Sequence, residues 1–159
     1  MADLLNVLQE KLSGKNVKIV LPEGEDERVL TAATQLQESD YVSPIVLGNE
    51  EKIKSLAEEK SLNLTNIEII DPSSSDLKPE LVDEFVERRK GKATKEQAEE
   101  MLDNVNYFGT MLVYTGKAAG LVSGAAHSTG DTVRPALQII KTKPGVSKTS
   151  GIFFICLLY

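Results

Sequence analysis

Cysteine, histidine and aromatic residues are scarce in this sequence of 159 residues, which contains one cysteine, one histidine and no tryptophan. The single cysteine, Cys156, cannot form an intramolecular disulfide, so a reducing, cytoplasmic environment is the default expectation. The single histidine, His127, has no set of cysteine, histidine and aspartate residues spaced around it, which favours a hydrogen-bonded loop residue over a metal ligand. The sequence therefore excludes a disulfide scaffold and predicts no metal site.

Positive charge and long apolar runs are scarce as well. The 24 acidic residues outnumber the 18 basic ones and leave a net charge of −6, which argues against nucleic acid as the main partner. The apolar run from Ile152 to Leu158 is too short to span a bilayer, so no membrane partner is expected. Residues 1–14 include acidic side chains and no continuous apolar stretch, which predicts no signal peptide.

Short apolar segments alternate with amphipathic segments along most of the chain. Strands are predicted at 17–21, 41–47, 67–70 and 120–123, and helices at 2–12, 50–60, 77–90, 106–114 and 136–140, with further helices after the 22–26 turn and from residue 94. Strands that alternate with helices over short linkers form parallel sheets with right-handed crossovers. We therefore predict an α/β fold with three α/β/α layers and a mostly parallel sheet.

The stretch from Gly120 to Pro135 combines a strand end, a loop of small and hydroxylated residues and the start of a helix. Such a junction forms a natural anion site, because free backbone amides and the positive end of the helix dipole point towards the loop. Ser128 and Thr129 add hydroxyl groups, and Arg134 adds a positive charge. We therefore expect the amides of this loop and the Arg134 guanidinium to hold an anion together.

The same junction is open to a second interpretation. Proline fits the first turn of a helix, so Pro135 favours an N-cap near Asp131 over one at Ser128. Serine, threonine, glycine and aspartate also form ordinary helix caps that bind no ligand. The loop matches neither the Walker A pattern nor the dinucleotide-binding glycine pattern. On these residues alone, an ordinary cap remains an alternative to an anion site.

Further arginines lie where ligands or helix ends are expected. Arg28 begins the helix after the first strand, at the edge of the sheet where open α/β folds bind ligands. A surface ion pair with Glu25 or Asp26 explains that arginine equally well. Arg88 and Arg89 end a helix, where the dipole favours basic residues. Adjacent helical residues point about 100° apart, so one of these two arginines can face inward.

Four segments of the sequence resemble the phosphate acetyltransferase family and follow one another in the family's order. They are VKIVLPEGEDERVLTAA at 17–33, FVERRKGKAT at 85–94, NYFGTMLV at 106–113 and SGAAHSTGDTVRPALQIIKT at 123–142. The resemblance extends from the N-terminus to about Phe154. It implies an acyltransferase that exchanges acetyl between acetyl phosphate and coenzyme A, both of them substrates, without a metal or other cofactor.

The resemblance also implies roles for individual residues. It identifies Arg134 and Arg89 as catalytic residues, and Ser128, Thr129 and Arg28 as substrate-binding residues. The catalytic base, together with a further serine and arginine, belongs to the second half of such chains. We therefore expect a protein made of the first half to be inactive by itself. Complete family members are expected to be homodimers.

The match to the family changes towards the end of the chain. Residues 1–145 correspond to the first, substrate-cradling domain of a two-domain acyltransferase, and 146–159 to the start of a connection whose last residues are atypical. Ala119 stands where the family usually has an acidic residue, at the far end of a strand from the expected site. Two alternatives remain, a non-catalytic module that binds anions or acyl phosphates and a relative of the phosphate butyryltransferases.

Overall fold

The computed structural model describes residues 2–39 and 41–149, which form seven helices and four strands. The strands are β1 (Val17–Leu21), β2 (Val42–Leu47), β3 (Glu68–Ile70) and β4 (Gly120–Leu121). The helices are α1 (Ala2–Leu12), α2 (Glu27–Gln37), α3 (Glu50–Glu59), α4 (Lys78–Arg89), α5 (Lys95–Met101), α6 (Val105–Tyr114) and α7 (Thr129–Ile139). None of these helices is long and apolar enough to cross a membrane.

The four strands form one parallel sheet in the order β3-β2-β1-β4, which confirms the predicted α/β fold. The chain adds β2 and β3 on one side of β1 and then returns to add β4 on the other side. The connections that follow β1 and β4 therefore leave the same edge of the sheet in opposite directions. In open α/β folds, ligands bind in the crevice at such a switch point.

Helices cover both faces of the sheet, in agreement with the predicted three layers. On one face, Val20 and Leu47 belong to a buried cluster with Phe85 and Phe108, which also includes side chains of α5 and α7. On the other face, Leu21 packs with apolar residues of α2 and α3. Successive strand residues point to opposite faces, so neighbouring residues of β1 enter different halves of the core.

Most predicted elements are confirmed with shifts of one residue at their ends. The largest error concerns α7, which was predicted to have its N-cap near Asp131 and instead has it at Ser128. The Ser128 hydroxyl accepts a hydrogen bond from the Asp131 amide at 3.2 Å and donates one to the Asp131 carboxylate at 2.7 Å. This reciprocal cap outweighs the preference of proline for the first turn, and Pro135 is accommodated inside the helix.

The sequence departs from the family that it resembles at Ala119 and in the last residues of the chain, and the structure describes only the first of these. Ala119 directly precedes β4, and its amide donates a 2.8 Å hydrogen bond to the carbonyl of Lys18. This backbone hydrogen bond holds the turn without an acidic side chain. The position lies at the amino end of β4, far from the expected site. The atypical last residues, which include the apolar run from Ile152 to Leu158, lie outside the described residues.

The capping box at the start of α5 provides a test of local stability. The Thr94 hydroxyl accepts from the Gln97 amide, and the Gln97 side chain accepts from the Thr94 amide. Thr94→Ala is expected to lower the free energy of unfolding by about 1 kcal/mol in urea denaturation. Thr65→Ala, in an exposed loop, should change it by less than about 0.5 kcal/mol. Equal effects of the two substitutions would contradict the role of the cap.

Candidate anion-binding site

The segments that follow β1 and β4 enclose a cavity of about 360 Å³ at the carboxyl edge of the sheet. Glu23 and Asp26 line it from the first segment, and Ala126 and His127 line it from the second. The carboxylates of the first segment make this cavity unattractive to a phosphate group. Arg28, Arg89 and Arg134, on α2, α4 and α7, are not among the residues that line it.

The loop after β4 is bound to a carboxylate from the segment after β1. Glu23 is only 5% exposed, and its two oxygens accept hydrogen bonds from four consecutive amides. The amides of Gly124 and Ala125 donate to Oε2 at 3.0 and 2.8 Å, and those of Ala126 and His127 donate to Oε1 at 2.8 Å. Consecutive amides of this kind form a nest for an anion. Here that anion is the protein's own side chain.

This result corrects the expectation that the loop amides hold a substrate anion. The amides of 124–127 are already bonded within the protein, so they are not free to bind phosphate. His127 is a hydrogen-bonded loop residue, as predicted, because its Nδ1 lies 2.8 Å from Glu23 Oε1. An ionised carboxylate only accepts hydrogen bonds, so Nδ1 carries the proton in this contact.

The hydrogen bonds control the ionisation of Glu23. Burial raises the pKa of its carboxyl group, but hydrogen bonds from the Ala126 and Ala125 amides and from the side chain and amide of His127 outweigh burial and lower the pKa to about 2. The folded state therefore favours the charged form. Its contribution to stability is present above the ordinary glutamate pKa of 4.5 and is lost as the pH falls towards 2.

A pH series tests this linkage. Between pH 5 and pH 2.5, the chain is expected to lose about 2 kcal/mol of unfolding free energy through Glu23 alone, calculated from the two pKa values. The comparison is with Glu23→Gln, which has no carboxyl group at this position and should lose that much less over the same range. Urea denaturation at a series of pH values measures the difference. Parallel curves for the two proteins would contradict the assignment.

Arg28 contacts the same loop from its other side. Its Nη2 donates to the carbonyl oxygen of Ala125 at 2.7 Å and to Asp26 Oδ2 at 2.7 Å, while its Nε donates to Asp26 Oδ1 at 3.0 Å. The hydrogen bond from Arg28 is the largest cause of the low pKa of Asp26, about 2. The structure thus contains the surface ion pair considered for this arginine, with Asp26 as its partner. Its role in binding substrate stays a prediction.

Arg89 and Arg134, which we call the arginine pair, lie near the same phenol group. Burial raises the pKa of Tyr107, and the charges of Arg134 and Arg89 lower it, so both guanidinium groups act on one hydroxyl. Tyr107 donates a hydrogen bond to Gln138 at 3.1 Å, and its ring packs edge-to-face against Phe85. Nε of Arg89 is buried without a hydrogen-bond partner in the described ranges. The arginine pair therefore combines positive charge with an Nε–H group that has no acceptor.

The start of α6 contacts the segment at the carboxyl end of β4. Asn106, next to Tyr107 in sequence, accepts a 2.8 Å hydrogen bond from the Ser123 hydroxyl just after that strand. Asn106 is 1% exposed, yet its Nδ2 has no partner within the part of the chain that is described. The start of α6 thus holds a second buried donor without an acceptor, close to the carboxyl end of β4.

The two adjacent arginines at the end of α4 differ in their contacts. Arg88 donates to the carbonyl oxygens of Ile139 and Ile140 at 2.5 and 2.9 Å, and it stacks over the ring of Tyr114 at 4.9 Å. A guanidinium group at the C-terminus of α7 satisfies free carbonyls and complements the helix dipole. Arg88 therefore fixes α7 against α4, and its neighbour Arg89 is left for the site.

The first turn of α7 supplies the remaining donors. The Ser128 hydroxyl is engaged by Asp131, as described above, which leaves it a poor ligand in this arrangement. The amides of Thr129 and Gly130 have no acceptor among residues 2–39 and 41–149, and the Thr129 side chain is exposed. Free amides at a helix start attract anions. Ligand roles for Ser128 and Thr129 stay predictions.

Sequence reasoning missed Glu23 and Asn106. The sequence places Glu23 only in a turn, although an acidic residue two positions after a buried strand lies at the edge where a small-residue loop presents its amides. Asn106 was assigned to a core helix, and a polar residue in that apolar segment was the available signal. Both signals depend on knowing that β1 and β4 are neighbours, which no local pattern states.

The fold and the site define a parallel α/β protein with free helix amides after β4 and two arginines whose charges act on one tyrosine of α6. The chain belongs to the phosphate acetyl/butaryl transferase family, whose model matches residues 3–158. This confirms the family suggested by the sequence motifs.

Individual relatives agree with this membership. The chain is 85% identical over 155 residues to a phosphate acetyltransferase of Staphylococcus epidermidis, covering 98% of this chain and 47% of the relative. It superposes on the EutD phosphotransacetylase from Staphylococcus aureus with a TM-score of 0.92 and 79% identity, covering 96% of this chain and 46% of that one. A phosphotransacetylase from Streptococcus pyogenes gives 0.90 and 52%, with 95% and 46% covered. The chain thus spans about half the length of these relatives.

Proposed function

We propose that this chain provides the phosphate-binding half of a phosphate acetyltransferase, which transfers acetyl reversibly between acetyl phosphate and coenzyme A. In the forward direction the coenzyme A thiolate forms a bond to the acetyl carbon, and the bond from that carbon to the phosphate oxygen breaks. Orthophosphate leaves with the electron pair of that bond. The proton of the thiol must pass to a base, so the reaction balances without an oxidant or reductant.

The observation that carries the proposal is the buried, unpartnered Nε of Arg89, whose charge acts on Tyr107 together with that of Arg134. Guanidinium groups form strong, directional hydrogen bonds to phosphate oxygens. Charge develops on the leaving phosphate, so guanidinium groups that bind it stabilise the transition state more than the ground state. Arg134 is exposed and can reach a ligand from the solvent side. The free amides of Thr129 and Gly130 would extend this cradle.

A base for the thiol is the part of the mechanism that the described residues do not supply well. His127 is the natural candidate, because its Nδ1–H donates to Glu23 and leaves Nε2 as the ring nitrogen that can accept a proton. The family resemblance, however, places the base in the second half of such chains. We therefore expect this chain by itself to bind the phosphate compound without turning it over. We further infer that complete enzymes of this kind act in the cytoplasm as homodimers, without metal or other cofactor.

Calorimetric titration with acetyl phosphate tests the binding. Arg134→Ala and Arg89→Ala are each expected to weaken binding about 10- to 100-fold, which is the effect of losing a charged hydrogen bond. Lys92→Ala removes a nearby surface charge at the end of α4 and should weaken it less than about threefold. Equal effects of all three substitutions would contradict a specific site and indicate general charge attraction.

A non-catalytic module that binds acyl phosphates is the second candidate, since the unpartnered Nε of Arg89 would serve binding without any base. A thiol-consumption assay with acetyl phosphate and coenzyme A separates the two functions. Addition of the C-terminal half of the Staphylococcus epidermidis relative should restore turnover if this chain is a transferase half. Continued inactivity with intact acetyl phosphate binding would instead support the module.

A further inference from the structure

We propose that Glu23 is a positioning residue for the substrate site. Its carboxylate acts as a built-in anion that occupies the nest at 124–127, fixes the start of α7 and leaves substrate phosphate to the arginine pair. This inference rests on the proposed function for the identity of the ligand. The part that concerns the loop depends only on the contacts of Glu23.

Glu23 is fully engaged by its donors. The two carboxylate oxygens receive four amide hydrogen bonds and one contact from the His127 ring, all between 2.8 and 3.0 Å. A carboxylate has about four lone-pair directions, so no acceptor capacity remains for a substrate. The side chain is nearly inaccessible. Glu23 is therefore neither a base nor a ligand, and it acts through the loop.

The loop is held from both sides and leads directly into α7. Glu23 binds the N–H groups of 124–127, while Arg28 binds the carbonyl oxygen of Ala125. Gly124 has a φ of 111°, a conformation that glycine adopts without strain, and this allows the amides to turn inward. The next residue after the nest is Ser128, the N-cap of the helix that carries Arg134. Fixing the nest therefore fixes the helix start.

The charge of Glu23 also determines where a substrate anion binds. An empty nest of four amides would compete for phosphate, since such nests are anion sites. An internal carboxylate fills the nest and repels a second anion. Among the described residues, the open donors that remain include Nε of Arg89, Nδ2 of Asn106 and the first amides of α7. Occupation of the nest thus directs phosphate to the arginine pair.

The test compares the full 159-residue chain with Glu23→Gln, Glu23→Ala and the control Glu25→Gln. Glutamine keeps the size of the side chain but replaces one acceptor by an NH₂ donor that faces amide donors. In Glu23→Gln, hydrogen exchange at 124–127 should become at least about 10-fold faster, and the affinity for inorganic phosphate should fall about 3- to 10-fold. Glu25→Gln removes an equal charge from a side chain in the same turn that contacts the Asn49 amide and Lys52 rather than the loop, and it should change neither quantity.

Rescue of Glu23→Ala by a carboxylate added to the solution is the sharpest test of the proposal. In Glu23→Ala the nest is empty, so acetate at about 100 mM should restore slow exchange at 124–127, whereas chloride at equal ionic strength should not. If Glu23→Ala does not fold, the result for Glu23→Gln decides. Unchanged exchange in Glu23→Gln, or no rescue of folded Glu23→Ala by acetate, would overturn the proposal. If the unaltered chain binds no phosphate, the proposed function fails, and the exchange data still decide the role of Glu23.

Discussion

Phe85→Ala is expected to lower the free energy of unfolding by about 4 kcal/mol, because a fully buried aromatic side chain is lost and a cavity remains. Phe85 is completely buried on α4, and its ring meets that of Tyr107 edge-to-face at 6.2 Å and 76°. The substitution removes the support of Tyr107 as well as core volume. Acetyl phosphate binding should therefore weaken even at temperatures where the variant is folded.

Urea denaturation measures the stability, with Phe85→Leu as the matched variant. Leucine fills most of the volume, so we expect a loss of about 1 to 2 kcal/mol and nearly unchanged ligand affinity. The packing argument would be contradicted by a loss below about 1 kcal/mol in Phe85→Ala.

Gly24→Ala is the second substitution with a large expected effect. A Cβ at this position would lie 2.2 Å from Val46 Cγ1, 2.7 Å from the Leu47 carbonyl oxygen and 2.9 Å from Ile53 Cδ1. The Gly24 amide donates to the same Leu47 carbonyl, so the backbone of β2 cannot withdraw without losing that bond. Overpacking typically costs 1 to 3 kcal/mol, and a backbone clash places this case at about 4 kcal/mol.

The neighbouring Glu23 should be displaced with Gly24, so the loop at 124–127 should lose protection in the same variant. Gly130→Ala serves as the control, because its Cβ would meet only the Ser128 hydroxyl oxygen at 3.7 Å, an ordinary contact within a helix. That substitution should leave the unfolding free energy unchanged or raise it by up to about 1 kcal/mol. A stable Gly24→Ala variant with slow exchange at 124–127 would contradict this prediction. It would mean that the 22–26 turn can shift to accommodate the added Cβ.

The fold was largely predictable because its signals are local. The apolar segments that became β1 and β2 are bounded by turn residues, and the capping box at Thr94 is written in four consecutive residues. The order of strands and helices then leaves few topologies. The boundaries of α7 were wrong because two local signals, Ser128 with Asp131 and Pro135, disagreed, and hydrogen bonding decided between them.

The site was predictable only where a residue acts through its own type and position. The sequence predicts Arg89 and Arg134 as site residues, and in the structure the charges of both act on the phenol of Tyr107. The partner of the loop amides was not predicted, because Glu23 lies 101 residues before Gly124 and meets it only once β4 has paired with β1. A strand–loop–helix pattern indicates that backbone amides converge on one point, but it does not indicate whether a ligand or a side chain accepts their hydrogen bonds.

Titration of ¹⁵N-labelled chain with inorganic phosphate tests the central claim most directly, because NMR observes the Nε–H groups of arginines and the backbone amides in one experiment. We predict that phosphate shifts the Nε–H resonances of Arg89 and Arg134 and the amides of Thr129 and Gly130, while the amides of 124–127 stay unchanged because Glu23 still binds them. Large shifts at 124–127 with unaffected arginine resonances would mean that phosphate displaces Glu23, and would contradict the account.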